Sequence, residues 1–461
     1  MNMRIILVIV LAAALLATSI SALNFQAVKA QAIIVPDDFP SIQQAINAAQ
    51  PGSTVYVKAG TYVENLIVNK SITLMGEAEE STIISGNGST VIQLEADDIT
   101  VENLTIRDGG FTYNTNSGVI STGHSNNSIL NDIFLNELVS IYLNDSNNNT
   151  IAGNTIVGAT QWYYIQLENS NDNIVRDNSI INNLGSGIYL SSSNGNLIDG
   201  NSVTGAENSI NFEVGIELES SLNDTIQNNI VKYNRSYGIM ASASTGDIVD
   251  NFVSSNNFGI YSDLSSITMS QNIIFNNTLG VLDSSGPSDL IFNNSFIQNH
   301  QQISTTLADG HAQLDAGYPL GGNFWDDYNG TDYFSGPYQN ETGSDGIGDT
   351  PYSVDGFVDR YPLYLPPLPS AEISAQAPLY EFYEILLGKY DALVTYYNEL
   401  SLNLTKQIEN ATSAKSHSEA ELGTTEQITY ALLIVTIGLS AAVAILVVRT
   451  RKHPVSKDPS A

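Results

Sequence analysis

Four aspartates, Asp177, Asp199, Asp224 and Asp250, fall about two dozen residues apart near chain turns. Carboxylates gathered in pairs can act as general acid and base on a glycosidic bond, and their separation sets the stereochemistry. Aspartate recurring at turns is also what a solvated repeat surface needs, so turn chemistry is the competing account. A polysaccharide lyase needs instead a base beside the proton α to a carboxylate, and commonly a metal to acidify it. The bases in the middle of the chain are Arg107, Arg176, Lys232 and Arg235, and they share no motif. Asp345-Gly346-Ile347-Gly348-Asp349 alternates oxygen ligands with glycine, as loops around a hard cation do. Asp345 and Asp349 are therefore candidate calcium ligands, with a glycine-rich turn as the alternative. Trp162 and Tyr163 offer aromatic faces to a sugar ring and are the candidate carbohydrate contacts. Trp325 with Tyr328 could do the same, although Trp325 also suits burial in a closing segment. Asn-x-Ser/Thr sequons number fourteen; Asn69, Asn103, Asn148, Asn234, Asn329 and Asn403 are among the candidate glycosylation sites.

Something regular must position these groups. A small residue followed by an aliphatic one recurs at Gly118-Val119, Ser140-Ile141, Gly187-Ile188, Gly215-Ile216, Gly238-Ile239, Gly259-Ile260 and Gly280-Val281, with Tyr164-Ile165 in the same series. Gln302-Ile303 extends it. About a dozen residues after each comes an Asn-x-aliphatic step, at Asn131/Ile133, Asn154/Ile156, Asn178/Ile180, Asn201/Val203, Asn228/Ile230, Asn251/Val253, Asn272/Ile274 and Asn294/Phe296. Intervals of 21 to 28 residues in both series predict a stacked solenoid. The segments alternate as strands do and are rich in Ile, Val, Tyr and Thr. Helical repeats run longer, and the dense leucines of a leucine-rich repeat are missing. The predicted fold is all-β: a right-handed, single-stranded parallel β-helix. The recurrent Asn suits a left-handed turn residue or a stacked hydrogen-bonding ladder. The longest interval, Gly187 to Gly215, inserts Glu207, Asn211 and Glu213 and is the place where a cleft could break the repeat.

The 461 residues carry 48 acidic and 16 basic side chains, a net charge of −32. Such a surface repels nucleic acid. With no cysteine, disulfides, thiolate metal sites and a cysteine nucleophile are excluded. Residues 1–30 read as a signal peptide, with Arg4 ahead of an apolar stretch and Val28-Lys29-Ala30 before the cleavage point. The β-helix is expected over 31–310, a C-terminal cap segment over 311–365 and a proline-rich linker over 366–378. Residues 41–49 read as a helix capping the open N-terminal coil, with Ser41 as N-cap. Leucines and tyrosines at heptad spacing mark 379–427 as a helical stalk and spacer, read either as a coiled coil that makes a homo-oligomer or as a single packed helix. An uncharged apolar run over 428–448 fits one transmembrane helix, and the basic tail 449–461 places itself in the cytoplasm. The expected topology is single-pass type I in the cell membrane, ectodomain outside.

Residues 35–76, opening Val35-Pro36-Asp37-Asp38-Phe39-Pro40, resemble the start of pectin-lyase-like right-handed β-helix proteins. Gly321-Gly322-Asn323-Phe324-Trp325-Asp326-Asp327-Tyr328, then Asp345 to Tyr352 and Asp359-Arg360-Tyr361-Pro362-Leu363, resemble the end of the NosD-like branch, common in archaeal surface proteins. The resemblance implies fold and subfamily; one fold hosts many activities. NosD itself is linked to copper-site assembly, but His124, His300, His311, His417 and His453, five Met and no Cys form no soft-ligand cluster. No residue is assigned a catalytic or cofactor-binding role. The first expectation is a non-enzymatic, membrane-anchored surface module that contacts carbohydrate or an envelope protein. The others are an anchored polysaccharide-active enzyme, glycosidase or lyase, and an accessory factor in metalloprotein maturation.

Overall fold

A computed structural model describes residues 32–110, 116–158, 162–206, 211–284, 289–306 and 312–370, with residues 373, 402, 403, 405 and 406. The expected signal peptide, nearly all of the expected stalk, the apolar run 428–448 and the basic tail lie outside the described residues. Among the described residues no helix is long and apolar enough to cross a membrane.

Residues 32–325 wind as a right-handed parallel β-solenoid of about twelve turns. From Thr54 to Thr305 each coil lays down one strand in each of three sheets. The first sheet runs from Ala32–Val35 to Leu290–Phe292, the second from Gly60–Val63 to Phe324–Trp325, and the third from Leu66–Val68 to Gln301–Thr305. Every pairing inside these sheets is parallel, so each strand meets the equivalent strand one coil away.

The short strands hold because their inward residues stack in register. Val119, Ile141, Ile165, Ile188, Ile216, Ile239, Ile260, Val281 and Ile303 form one column of the third sheet. All nine are fully buried, so the small-aliphatic series, including Gln302-Ile303, has the predicted equivalence. The preceding glycine is dictated by space. A Cβ on Gly215 would meet the carbonyl oxygen of Gly238 at 2.5 Å. The second-sheet column runs Ile106, Phe134, Ile156, Ile180, Val203, Val231, Val253, Ile274, Phe296 and Trp325. Trp325 stacks on Phe296 at 4.3 Å and is fully buried.

Two members of the Asn-x-aliphatic series are displaced by one residue. Phe134, not Ile133, pairs with Ile156, and Val231, not Ile230, pairs with Val203. The reason is that two adjacent turn positions both favour Asn. The first has positive φ, at Asn131, Gly153, Asp177, Gly200, Asn228, Asp250, Gln271 and Asn293; a short polar side chain or glycine suits it. The second is buried and forms a ladder: Asp132, Asn154, Asn178, Asn201, Asn229, Asn251, Asn272, Asn294 and Asn323. Each backbone N–H donates to the side-chain oxygen one coil on, at 2.8–3.1 Å. The last step passes from Asn323 N to the Asp359 carboxylate at 2.7 Å. A second buried ladder runs Asn127, Asn149, Asn173, Asn196, Asp224. Serines 146, 170, 193, 221, 244 and 265 form a third ladder. A fourth links Asn234, Asn256, Asn277 and Asn299.

Helix Ile42–Ala48 begins at Ser41, whose hydroxyl accepts from Gln44 N. The Glu64 carboxylate accepts from Ile42 N and Gln43 N, while Lys70 donates to the carbonyls of Ile46, Asn47 and Ala49. Both helix ends are thus matched in charge. Ile42, Ala45 and Ile46 join the solenoid core. The Gln43 amide pairs with Ile67 N and O on the first strand of the third sheet. At the other end Asp359 is buried and accepts from Asn323 N, Trp325 Nε1 and Tyr361 N. Asp315 takes a two-pronged bond from Arg360, at 2.9 and 2.6 Å.

Candidate functional site

Outward positions of the third sheet carry the chemistry. The residue after each buried aliphatic points out, giving the row Tyr142, Gln166, Tyr189, Glu217, Met240, Tyr261. Two residues on runs Asn144, Glu168, Ser191, Glu219, Ser242, Asp263. On the other flank stand Tyr163, Ser186, Val214, Tyr237 and Phe258.

Diagonal neighbours in adjacent coils repeat the same contacts, as cross-strand spacing allows. Tyr163 stacks on Tyr189 with centroids 4.1 Å apart, and Tyr237 on Tyr261 at 4.8 Å. Between these stacks the equivalent diagonal is polar: the Ser186 hydroxyl donates to Glu217 Oε2. A second diagonal joins phenol to carboxylate, Tyr142 to Glu168 at 2.5 Å and Tyr189 to Glu219. Trp162, 43% exposed, meets Tyr163 edge-on at 6.5 Å, and Phe212, 61% exposed, meets Tyr237 edge-on at 5.6 Å. The face therefore carries two stacked aromatic pairs, with Tyr189 buried beneath the first, and Glu217 and Glu219 between them.

Burial raises the Glu217 carboxyl above the usual range; the Ser186 hydroxyl opposes this and nearby Glu219 adds to it. Tyr189 is raised by burial and by its bond to Glu219. Glu217 and Glu219 are two residues apart on one face, roughly 7 Å between Cα atoms. Two carboxyl groups at that range are spaced for acid and base work.

The irregular interval Gly187 to Gly215 reaches this face through Phe212, which meets Tyr237, and it disturbs the second sheet as well. Strand Ser179–Asn183 carries a register shift between Ile181 and Asn183. Asn183 then reaches past the intervening coil to Asn234 at 3.0 Å, so the turn ladder closes across the insertion. Glu213 is buried and accepts from Arg235 N at 3.2 Å. Glu207 lies outside the described residues.

Other candidates are placed apart. Asp177 and Asp250 both occupy the positive-φ turn position, Asp199 ends a first-sheet strand, and Asp224 ends a ladder. The four aspartates are not equivalent and do not form one carboxylate row. Asp349 accepts from the Thr331 hydroxyl, Tyr333 N and Phe334 N; Asp345 accepts from Gly336 N, Gln339 Nε2 and Ile347 N. These donors occupy the oxygens that calcium would take, and among the described residues no three acidic or histidine side chains converge. Asn234 is 1% exposed and held in its ladder. Asn69, Asn148, Asn329 and Asn403 are exposed, and Asn103 is half-buried.

The right-handed parallel β-solenoid is the fold of pectin-lyase-like β-helix proteins. The chain belongs to the NosD family: residues 46–213 and 206–330 match the model described as periplasmic copper-binding protein (NosD). It is 39% identical over 71 residues to a probable pectinesterase/pectinesterase inhibitor 6 of Arabidopsis thaliana, covering 13% of each chain. The match thus spans a small fraction of that relative's length. Among solved structures it is similar to the A-module of the Azotobacter vinelandii mannuronan C-5 epimerase AlgE6, with TM-score 0.47 and 14% identity over 59% of this chain and 83% of that one. It is also similar to the catalytic domain of a GH87 α-1,3-glucanase in complex with nigerose, with TM-score 0.45 and 12% identity over 61% and 68%.

Copper needs soft or imidazole donors brought together. The described candidates are dispersed: His124 lies 3.6 Å from Asp97, His300 is exposed at another coil, and Met269 is buried in the core. Among the described residues the donor set does not fit copper.

Trp162 and Tyr163 stand out by residue type, whereas Gln166, Tyr189, Glu217 and Glu219 do not. The signal was present. Reading the residue after each aliphatic marker as a column gives the outward row directly.

Proposed function

We propose that this protein is a membrane-anchored, cell-surface glycan-binding module whose binding surface is the outer face of the third sheet. The paired aromatic platforms, Tyr163 on Tyr189 and Tyr237 on Tyr261, carry the reading. Flat rings flanked by hydroxyl and carboxylate acceptors match the apolar faces and hydroxyl edges of sugars. Coils rise ~4.8 Å each, so a chain lying along the rod meets a new row about every sugar ring. In this reading the helix Ile42–Ala48 caps the N-terminal end and the run 428–448 anchors the chain. The family's periplasmic description supports an ectodomain beyond the cytoplasm. The role is binding without turnover.

The test is a glycan array on residues 31–425 with product analysis on the polysaccharides bound. Binding without cleavage is expected, and Tyr189→Ala with Tyr261→Ala should weaken it at least tenfold. The absence of any glycan ligand would remove the reading.

The Glu217 and Glu219 pair favours one alternative, an anchored glycosidase with Glu217 as proton donor. New reducing ends that disappear in Glu217→Gln would establish it.

A further inference from the structure

We infer that the third-sheet face selects a non-anionic glycan and that Gln166 is its specificity-determining contact. This rests on the glycan-binding reading above.

Gln166 is the anomaly of the face. Ile165 and Leu167 point into the core, so the side chain between them points outward, in the row between Tyr142 and Tyr189. It is nevertheless only 1% exposed, and its Oε1 has no hydrogen-bond partner. A buried amide oxygen without a donor is costly, and such groups in native proteins call for an explanation. Tyr142 and Tyr189 on either side are buried too, so a ligand hydroxyl or N–H supplies the missing donor once the side chains over Gln166 move aside.

The neighbours decide the charge of that ligand. Glu168, Glu217 and Glu219 each have one oxygen engaged by a protein hydroxyl, from Tyr142, Ser186 and Tyr189. The other oxygen of each is left to accept from a ligand donor. Asp263 continues the row. No strand of the third sheet contains Lys, Arg or His, from Leu66–Val68 through Gln301–Thr305. A uronate polymer laid along this face would put carboxylate beside carboxylate with no cation between them, and like-charge juxtaposition is a strong discriminator. A glycan whose edge presents hydroxyl or N–H donors meets acceptors at Gln166 and at all three glutamates.

The experiment uses the full chain in detergent. Binding to immobilised neutral glucan hexasaccharides is compared with binding to hexagalacturonate, with calcium and with chelator. Neutral oligosaccharides are expected to bind at least tenfold more tightly in both buffers. Hexagalacturonate binding as tightly in either buffer overturns the selectivity and leaves the glycan reading standing. No binding to either overturns both. Gln166→Leu is expected to lose at least tenfold in neutral-glycan affinity without lowering the melting temperature, because no protein bond is broken. Unchanged affinity, or a loss that tracks a lower melting temperature, removes Gln166 from the site. Glu168→Gln combined with Glu219→Gln is expected to narrow the gap between the two ligands, and an unchanged gap overturns the charge argument.

Discussion

Asp224 shows how one residue sets a pH dependence. Its Oδ1 accepts from Asn196 N and Nδ2, and burial pushes its carboxyl up to about 7. Asp289 stands at about 7 and Glu137 at about 8, again through burial. In the unfolded chain such groups titrate near 4. Between roughly pH 4 and pH 7 the folded protein therefore holds protons that the unfolded chain has lost, and rising pH removes stability through that window. Asp224→Asn should shift the melting temperature at pH 8 by about 2–4 °C in the stabilising direction relative to its effect at pH 5, read by circular dichroism. An equal shift at both pH values would refute the assignment. Asp224 and Asp359 also share a position: each closes a ladder. The terminal residue must accept from the coil behind and has no oxygen ahead to receive a donor. A carboxylate meets that need where an amide would not.

The elements are held more by ladders than by strands, most of which are three to six residues long. Replacing Asn201 by Ala removes the acceptor for Asn178 N and Nδ2 and the donor to Val175 O and Asn229. Two or more buried groups lose partners, which costs about 3 kcal/mol or more. Urea denaturation should show it. Asn194, on the half-buried ladder with Asn171, should lose under about 1 kcal/mol on the same change. At the N-terminal end, Gln43→Ala frees the backbone of Ile67 on the first strand of its sheet. Unpaired strand edges recruit other chains, so light scattering should rise on mild heating while the far-ultraviolet spectrum stays β-rich. These elements were legible in the sequence to different depths. The third-sheet column could be read without error because it combines two constraints, a small residue and an aliphatic one. The turn Asn could not, because a left-handed φ and a buried ladder place the same residue type at adjacent positions. Asn131 and Asn228 satisfy the first constraint, while Asp132 and Asn229 satisfy the second. Gln166 was illegible for another reason: no residue type announces that its partner is missing.

For the whole molecule, charge and repeat set the limits. A net charge of −32 and a third sheet without bases point the same way, against polyanions. The expected stalk over 379–427 makes a separate claim: as an isolated peptide it should sediment as an oligomer, and a monomer at high concentration would remove the coiled coil. Deleting 428–448 should move the protein from the membrane fraction to the medium, measured by fractionation. The parallel stacking has a mechanical corollary. Backbone bonds between coils run along the rod, so axial tension loads them end to end in series rather than in shear. A pull entering through the last coils at Gln301–Thr305 and resisted at Tyr189 strains only the coils between those points. The coils from Ala32 to Ile141 carry none of that load. The rod would extend by shedding coils singly, about two dozen residues of slack at each rupture.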